Sequence, residues 1–226
     1  MDLTRELAAA LLPMKKYIIN ARLMGGIFLL TAACPVLLSC GDFYTHPIPR
    51  FGTGGRYAEG REQFTRGRGG NMDTAIADLE AVVRDNPTYL DSLTLLGRAY
   101  YRKERYADAN QILQRAVVVN KDDEIAWLVL GMTQLQLQDD NKGLETLKGA
   151  ITMISKVNKP GYRNYPEWDV KGSIRSAVSR STVVVLKGPE AKKEILQACD
   201  ALLSRMDDEE NYQKNVAPVL YRQGLQ

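Results

Sequence analysis

The chain has 226 residues, with 30 Lys and Arg against 27 Asp and Glu, and 45% of its residues are hydrophobic. This composition is that of an ordinary globular protein and excludes a mostly disordered chain, a collagen-like fibre and a multi-span membrane protein. A net charge of +3 gives no basis for broad nucleic-acid binding, and one histidine with three cysteines leaves little material for a metal cluster or a disulfide framework.

The beginning of the chain has the pattern of a targeting segment rather than of a folded domain. A basic stretch at 14–23 (MKKYIINARL) precedes an apolar stretch at 24–38 (MGGIFLLTAACPVLL), and small residues follow. This order is typical of a secretory signal peptide, and it indicates that translation starts at Met14. An uncleaved membrane anchor is the alternative, which Pro35 and an apolar run shorter than about 20 residues disfavour.

The segment 37–40 (LLSC) resembles the bacterial lipoprotein box. In that family the cysteine becomes the mature N-terminus and carries acyl chains, so the resemblance implies that Cys40 is lipidated after removal of residues 1–39. Several acyl chains together anchor a protein firmly to a membrane. Cys34 is the competing candidate, but it lacks an aliphatic residue three positions upstream and a proline follows it. Residues 40–56, rich in glycine and proline, are then predicted to be a lipid-anchored linker.

The middle of the chain contains an internal repeat with a period of 34 residues. The motif at 93–100 (LTLLGRAY) recurs at 127–134 (WLVLGMTQ), and the alanine and leucine positions of a second helix follow in register. This pattern resembles the tetratricopeptide repeat, a pair of packed helices. The resemblance covers residues 57–156 as about three repeats. It implies an all-α fold, a solenoid of helical hairpins.

Each position that recurs in this repeat has a packing reason. Gly97 and Gly131 are expected where the two helices of a hairpin approach closely, and Trp127 is expected, with nearby leucines, to fill the space between them. The first repeat keeps the register only if about three residues are inserted within 66–71. Pro87 ends a helix just before itself, because it lacks an N–H and restricts the preceding residue.

Residues 157–226 are predicted to form a C-terminal helical cap and a tail, because the last hairpin of a repeat array needs a covering element. Two stripes at helical spacing support the cap: Val170, Ile174, Ala177, Val178, Val184 and Val185, then Ile195, Cys199, Leu202 and Met206. The β-branched run at 183–185 leaves a short strand as an alternative. Cys199 is predicted to be a buried core thiol, with a reactive thiol as the alternative.

The sequence lacks the common catalytic motifs: it has no phosphate-binding P-loop, zinc-protease motif, CxxC pair or serine-hydrolase elbow. The acidic run at 207–210 (DDEE) is more typical of a solvated helix end than of a cation site. Arg61, Arg66 and Arg68 are a thin basis for contact with lipid headgroups. We therefore predict no enzyme, no metal, no cofactor and no small-molecule substrate.

The resemblance to tetratricopeptide repeats implies that the first helix of each repeat forms a concave surface that binds another protein. The positions that line this surface in the family are here Asp91, Thr94, Arg98, Tyr101 and Arg102 in repeat two, and Ile125, Leu128, Met132, Leu135 and Gln136 in repeat three. The Lys/Asn carboxylate clamp of chaperone-binding members is absent, which disfavours capture of an acidic C-terminus by that route.

The predicted function is that of a lipid-anchored adaptor or scaffold in the bacterial cell envelope. It would face the periplasm, be held to the membrane by its lipid, and bind another envelope protein through the concave surface; whether the membrane is the inner or the outer one stays open. The alternative is a structural subunit stably integrated in a membrane protein complex.

The two parts of the concave surface differ in polarity. The apolar stripe of repeat three would be an interaction site if it were left in water. We expect the C-terminal helix after Val170 to fold back over Met132 and Leu135, while the more polar groove with Arg98, Tyr101 and Arg102 stays open to a partner. A partner seated on the apolar stripe is the alternative.

Overall fold

A computed structural model describes residues 52–158 and 168–215 of the chain. All regular structure in these two ranges is helical, so the predicted all-α fold is confirmed. The α-helices described are, in chain order, α1 (Gly52–Thr65), α2 (Met72–Asp85), α3 (Ser92–Arg102), α4 (Tyr106–Val119), α5 (Glu124–Gln136), α6 (Asp140–Ile154), α7 (Ser173–Val185) and α8 (Lys192–Asn215). Short 3-10 turns occupy Gly67–Gly69, Ser155–Asn158 and Pro189–Ala191.

Several predictions fall partly or wholly outside the described residues. The signal peptide at 1–39, the lipidation site Cys40 and the tail from 216 onward all lie there. Of the predicted linker at 40–56, only the part from Gly52 is described, and that part already belongs to α1.

The helices pack as a solenoid of hairpins. Helix α1 packs on α2, α3 on α4 and α5 on α6, and each hairpin contacts the next through α2 with α3 and α4 with α5. The first helices of the three hairpins also contact one another in sequence, α1 with α3 and α3 with α5, so that they share one inner face. This is the repeat architecture that the 34-residue period predicted.

The glycines of the repeat lie where the helices of a hairpin are closest. A Cβ added at Gly97 would lie 2.5 Å from Cγ of Leu113, and one added at Gly131 would lie 2.7 Å from Cγ of Leu147. Contacts this short do not occur between real side chains, so only glycine fits at these two crossings. The expected close approach is confirmed in both hairpins.

The first hairpin carries the extra residues that its register required. A Cβ added at Gly60 would lie 3.1 Å from Cγ of Leu79, which makes Gly60 the counterpart of Gly97. These two glycines are 37 positions apart, three more than the period, as expected for an insertion within 66–71. The insertion ends at Asn71, whose side chain accepts hydrogen bonds from two backbone N–H groups in the first turn of α2.

Helices α7 and α8 follow the third hairpin and turn back over it. Helix α7 contacts α6, α8 packs on α7, and α8 also contacts α5 on the inner face. The apolar residues that hold this pair are buried: Ile174, Val178, Val185, Ile195, Cys199, Leu202 and Met206. Val170 was wrongly included in the first stripe, since it precedes α7 and is 67% exposed. The run at 183–185 ends α7, so the strand alternative is wrong.

Trp127 corrects the predicted packing of the third hairpin. Its ring is only half-buried, and its Nε1 donates to the backbone oxygen of Lys121 at 2.9 Å. The equivalent residue of the preceding repeat, Leu93, is buried instead, as is Leu130. A large ring with an N–H needs a hydrogen-bond partner as well as apolar contacts, and at the edge of the hairpin it has both.

Candidate binding groove

The inner face of the first two hairpins forms a polar and aromatic groove, and α8 lies along it. Register with Gly60 and Gly97 extends the family's concave positions to repeat one, where sequence reasoning had named none. The residues of this groove are Tyr57, Arg61 and Phe64 on α1, and Asp91, Thr94, Arg98, Tyr101 and Arg102 at or on α3. The term groove is used below for this set.

Arg98 is the centre of the groove and is almost fully buried. Its side chain is 7% exposed, and its Nη2 lies 2.5 Å from Oδ2 of Asp207 on α8. Nη2 of Arg102 lies 3.8 Å from the same oxygen. Charge-assisted hydrogen bonds of this kind are about twice as strong as neutral ones, and this carboxylate attaches α8 to the groove.

Phe64 provides the apolar floor beneath the two arginines. The guanidinium carbons of Arg98 and Arg102 lie 4.9 Å and 3.9 Å from the centre of its ring. Arg102 also donates through Nη1 to the backbone oxygen of Phe64 at 3.0 Å. Burial, and then the positive charge of Arg98, lower the pKa of Arg102. The groove therefore concentrates positive charge over an aromatic ring, which is an arrangement suited to carboxylates.

A second carboxylate of α8 is bound one helical turn further on. Nη2 of Arg61 lies 3.0 Å from Oε1 of Glu210, while its Nη1 donates to the hydroxyl of Tyr57 at 3.0 Å. The Tyr57 hydroxyl in turn donates to the carboxylate of Asp91. Burial and the Asp91 carboxylate raise the pKa of Tyr57, so that its hydroxyl keeps the proton it donates. This chain of bonds connects α8, α1 and the start of α3.

Thr94 connects repeat two to repeat three. Its hydroxyl donates to Oδ2 of Asp123 at 2.6 Å, and Oδ1 of the same carboxylate accepts from the backbone N–H of Ala126 at 2.9 Å. Asp123 thus caps the N-terminus of α5 while it holds α3 in place. Thr94 is therefore occupied by a structural contact as well as placed on the inner face.

The inner face of the third hairpin is apolar and closed. Leu128, Met132 and Leu135 are fully inaccessible to solvent, and Ile125 is nearly so. Since α5 packs on α6 and also contacts α8, the chain itself supplies this cover. Met132 and Leu135 are thus buried within the protein itself; a Cβ added at Gly143 of α6 would lie 2.8 Å from Cδ2 of Leu135, so the hairpin partner of α5 covers that side chain.

The expectation that the groove of repeat two stays open is wrong in this structure. Arg98 is buried under α8, Tyr101 is half-buried, and only Arg102 keeps substantial exposure. The reason is the acidic run at 207–210, for which the predicted solvated helix end is only partly correct. Asp207 and Glu210 face the groove arginines instead, while Asp208 is 68% exposed.

A small cavity of about 90 Å³ remains between α8 and the floor of the groove. Arg61, Phe64, Arg98, Asp207 and Glu210 are among the residues that line it. Nε of Arg98 is buried and has no hydrogen-bond partner, so the ion pair with Asp207 satisfies this guanidinium only in part. An unpaired buried donor is costly, which makes Arg98 the least satisfied group of the groove.

The described part of the chain shows neither a metal site nor a membrane span. Residues 52–158 and 168–215 contain no group of three or more His, Cys, Asp and Glu side chains placed to share a metal ion. Within the same residues no helix combines the length and the hydropathy that crossing a bilayer requires. In the groove as described, Arg61, Arg98 and Arg102 are paired with carboxylates of α8, and Asp91 accepts from the hydroxyl of Tyr57.

Comparison with known proteins agrees with this fold. Residues 69–135 match the family model described as tetratricopeptide repeat, which is less than a third of the chain. The general transcriptional corepressor trfA of Dictyostelium discoideum is 28% identical over 91 residues, which are 40% of this chain and 6% of that protein. The matched region thus spans a small fraction of that transcriptional corepressor. These matches support a tetratricopeptide-repeat protein.

Proposed function

We propose that this chain is a lipid-anchored scaffold of the bacterial cell envelope, whose tetratricopeptide repeats bind another envelope protein in the groove. Repeats of this type offer extended concave surfaces for protein partners, and protein–protein interaction is their general function. The observation that carries the proposal is the groove itself, which already binds a helix through Arg98 and Asp207 at 2.5 Å.

The chemistry of the groove supports binding rather than catalysis. Its arginines are engaged by the carboxylates of α8, its tyrosine hydroxyl is bonded to Asp91, and its aromatic ring carries two guanidinium groups. Such a set recognises a charged surface by geometry and does not place a nucleophile beside a base. An interaction scaffold fits these side chains best.

The envelope location is supported by the sequence before the repeats. A basic stretch, an apolar stretch and the segment 37–40 (LLSC) come in the order that lipoprotein signal peptides have. We propose Cys40 as the lipidated residue and the periplasm as the compartment of the repeats. Residues between Cys40 and α1 would then provide the tether that lets the groove reach a partner near the membrane.

Photocrosslinking in native membranes tests the groove as the partner site. A photoreactive amino acid at position 102, on the rim of the groove, should couple to an envelope protein that mass spectrometry identifies. The matched control is position 118 on α4, because Val118 is 75% exposed and is not a groove residue. Coupling from position 102 that is lost in an Arg61→Glu background supports the proposal. Coupling from position 118 alone would contradict it and favour a structural subunit of a larger complex.

Metabolic labelling with palmitate tests the anchor separately. The Cys40→Ala variant should take up no label and should accumulate as a precursor, because the modifying enzyme needs the thiolate. Cys34→Ala serves as the control and should be labelled normally. Label in Cys40→Ala that disappears in Cys34→Ala would move the anchor to Cys34.

A further inference from the structure

Helix α8 consists of two parts that are attached to the protein by different forces. Its first part, up to Met206, buries Ile195, Cys199 and Leu202 in the core shared with α7 and α5. Its last part, residues 207–215 (DDEENYQKN), contributes one buried side chain, the polar Gln213. No aliphatic residue occurs in this last part, so apolar burial contributes little to holding it.

The last part of α8, called the terminal turns below, is held over the groove by ion pairs. Asp207 contacts Arg98 and Arg102, and Glu210 contacts Arg61 three residues later. Glu210 is also bonded to Lys214 within the same helix. Apart from Arg98, the side chains in these pairs with the groove are 18–37% exposed, and ion pairs that water reaches stabilise weakly and are screened by salt. The terminal turns can therefore leave the groove without disrupting the buried part of α8.

The groove could bind another ligand of the same chemistry more strongly than it binds the terminal turns. Its three arginines lie on the floor formed by α1 and α3, which pack on each other, on α2 and, through α3, on α4 and α5. Arg98 offers a buried Nε that Asp207 leaves without a partner. A carboxylate that reached both Nε and Nη2 would bind this guanidinium through two bonds instead of one.

We propose that the groove binds an acidic helical segment of a partner protein in place of the terminal turns of α8. The segment carries two carboxylates three residues apart, as Asp207 and Glu210 are, so that one meets Arg98 with Arg102 and the other meets Arg61. The proposal rests on the groove being the partner site and adds the chemistry of what occupies it. The terminal turns are then a built-in competitor that the partner has to displace.

A labelled peptide copying residues 200–215 (DALLSRMDDEENYQKN) is a defined probe for this site. In the purified protein the terminal turns compete with the peptide. The apparent affinity for the peptide is therefore the intrinsic affinity multiplied by the fraction of molecules whose groove is free. The variant Asp207→Asn with Glu210→Gln weakens the competitor and should bind the peptide about ten to a hundred times more tightly than the unaltered protein. Higher salt should weaken this binding, because it depends on ion pairs.

The matched control is Asp208→Asn with Glu209→Gln, which removes the same charge from the same helical turn. Asp208 is largely exposed, and Glu209 bonds to Gln213 within α8 rather than to a groove arginine. We expect this control to bind the peptide as the unaltered protein does. Adding Arg61→Gln to the first variant should abolish its gain. If the double change impairs folding, as circular dichroism would show, the single variant Glu210→Gln gives the same comparison with a smaller gain.

Equal peptide affinity in the variant Asp207→Asn with Glu210→Gln and in its matched control would overturn the proposal. So would a peptide with amides in place of its carboxylates that binds as well as the acidic one. Partner crosslinking from position 102 decides the scaffold function independently of the peptide. A crosslinked partner with no gain in peptide affinity would therefore refute the acidic-helix ligand while leaving the scaffold function supported.

Discussion

The inner face of this solenoid is closed in two different ways along its length. On α5, in the third hairpin, it presents Leu128, Met132 and Leu135 to the protein's own interior, and none of them is accessible. On α1 and α3 it presents arginines over an aromatic ring and is covered by a polar stretch of α8. The same repeat position therefore serves the core in one hairpin and a charged contact in the others.

This difference shows how one helix, α8, can be part of the folded core in its first part and a ligand of the groove in its last part. Burial of apolar side chains is worth about 1.5–3 kcal/mol per residue, so the part of α8 over the third hairpin is held permanently. Exposed and partly exposed ion pairs contribute about 0–1 kcal/mol each, so the terminal turns over the groove are held reversibly. The boundary between the two parts lies at Met206 and Asp207, adjacent residues of one helix.

The largest effect is expected where the inner face is apolar. Met132→Ala should lower the free energy of unfolding by about 2–5 kcal/mol, because it leaves a cavity where a fully buried side chain was. Chemical denaturation followed by circular dichroism measures this loss. The control Val118→Ala removes methyl groups from a side chain that is 75% exposed and should change stability by less than about 0.5 kcal/mol. Similar losses in both variants would contradict the closed apolar face.

The close crossing of the second hairpin should be nearly as sensitive. Gly97→Ala places a Cβ 2.5 Å from Cγ of Leu113 and should cost about 1–3 kcal/mol through overpacking. Gly149→Ala is the matched control, since nothing lies within 4 Å of the added Cβ in the middle of α6. Alanine is the better helix former there and should stabilise the protein by up to about 1 kcal/mol. Thermal unfolding of the two variants should therefore shift in opposite directions.

A smaller effect is expected from the ion pair in the groove. Asp207→Asn removes the charge opposite the buried Arg98 and should lower the free energy of unfolding by about 1–2 kcal/mol. Asp208→Asn, next to it and 68% exposed, should stay within about 0.5 kcal/mol of the unaltered protein. Denaturation at low and at high salt measures the free energy of unfolding of both variants. The difference in this free energy between the two variants should be smaller at high salt. An unchanged difference would show that charge does not hold the terminal turns.

The smallest effect is expected at Cys199, which should not react in the folded protein. Burial, and then the negative charge of Asp200, raise the pKa of this thiol to about 12, so that the thiolate is scarce at pH 8. Alkylation at pH 8, followed by peptide mass spectrometry, should leave Cys199 unmodified until denaturant is added. Because the raised pKa belongs to the folded state, unfolding restores the ordinary pKa and the reactivity. Rapid labelling without denaturant would restore the reactive-thiol alternative.

The repeat fold could be predicted because its signals are local and periodic. The spacing of Gly97 and Gly131 predicted two hairpin crossings that the structure contains. Trp127 shows the limit of such reasoning, since a motif position predicts proximity to the hairpin but not how deeply a large ring enters it. The ring rests at the edge because its N–H bonds to a backbone oxygen outside α5.

The composition of the groove could be predicted in part, and its occupant could not. Arg98, Tyr101 and Arg102 follow from the register of repeat two, whereas Arg61 and Phe64 become visible only when the three-residue insertion is placed. Asp207 lies 109 positions from Arg98 along the chain, and no periodic pattern connects them. An acidic run looks the same whether it faces water or an arginine, so the self-contact required the three-dimensional structure.

Hydrogen exchange within α8 is the most direct test of a helix held in two ways. In the unaltered protein, amides of the terminal turns should exchange through local opening, faster than those at 195–206, and still faster as salt is raised. Amides at 195–206 should exchange only with global unfolding and should be insensitive to salt below the unfolding transition. Uniform protection along the whole of α8, unchanged by salt, would contradict a reversible contact between the terminal turns and the groove.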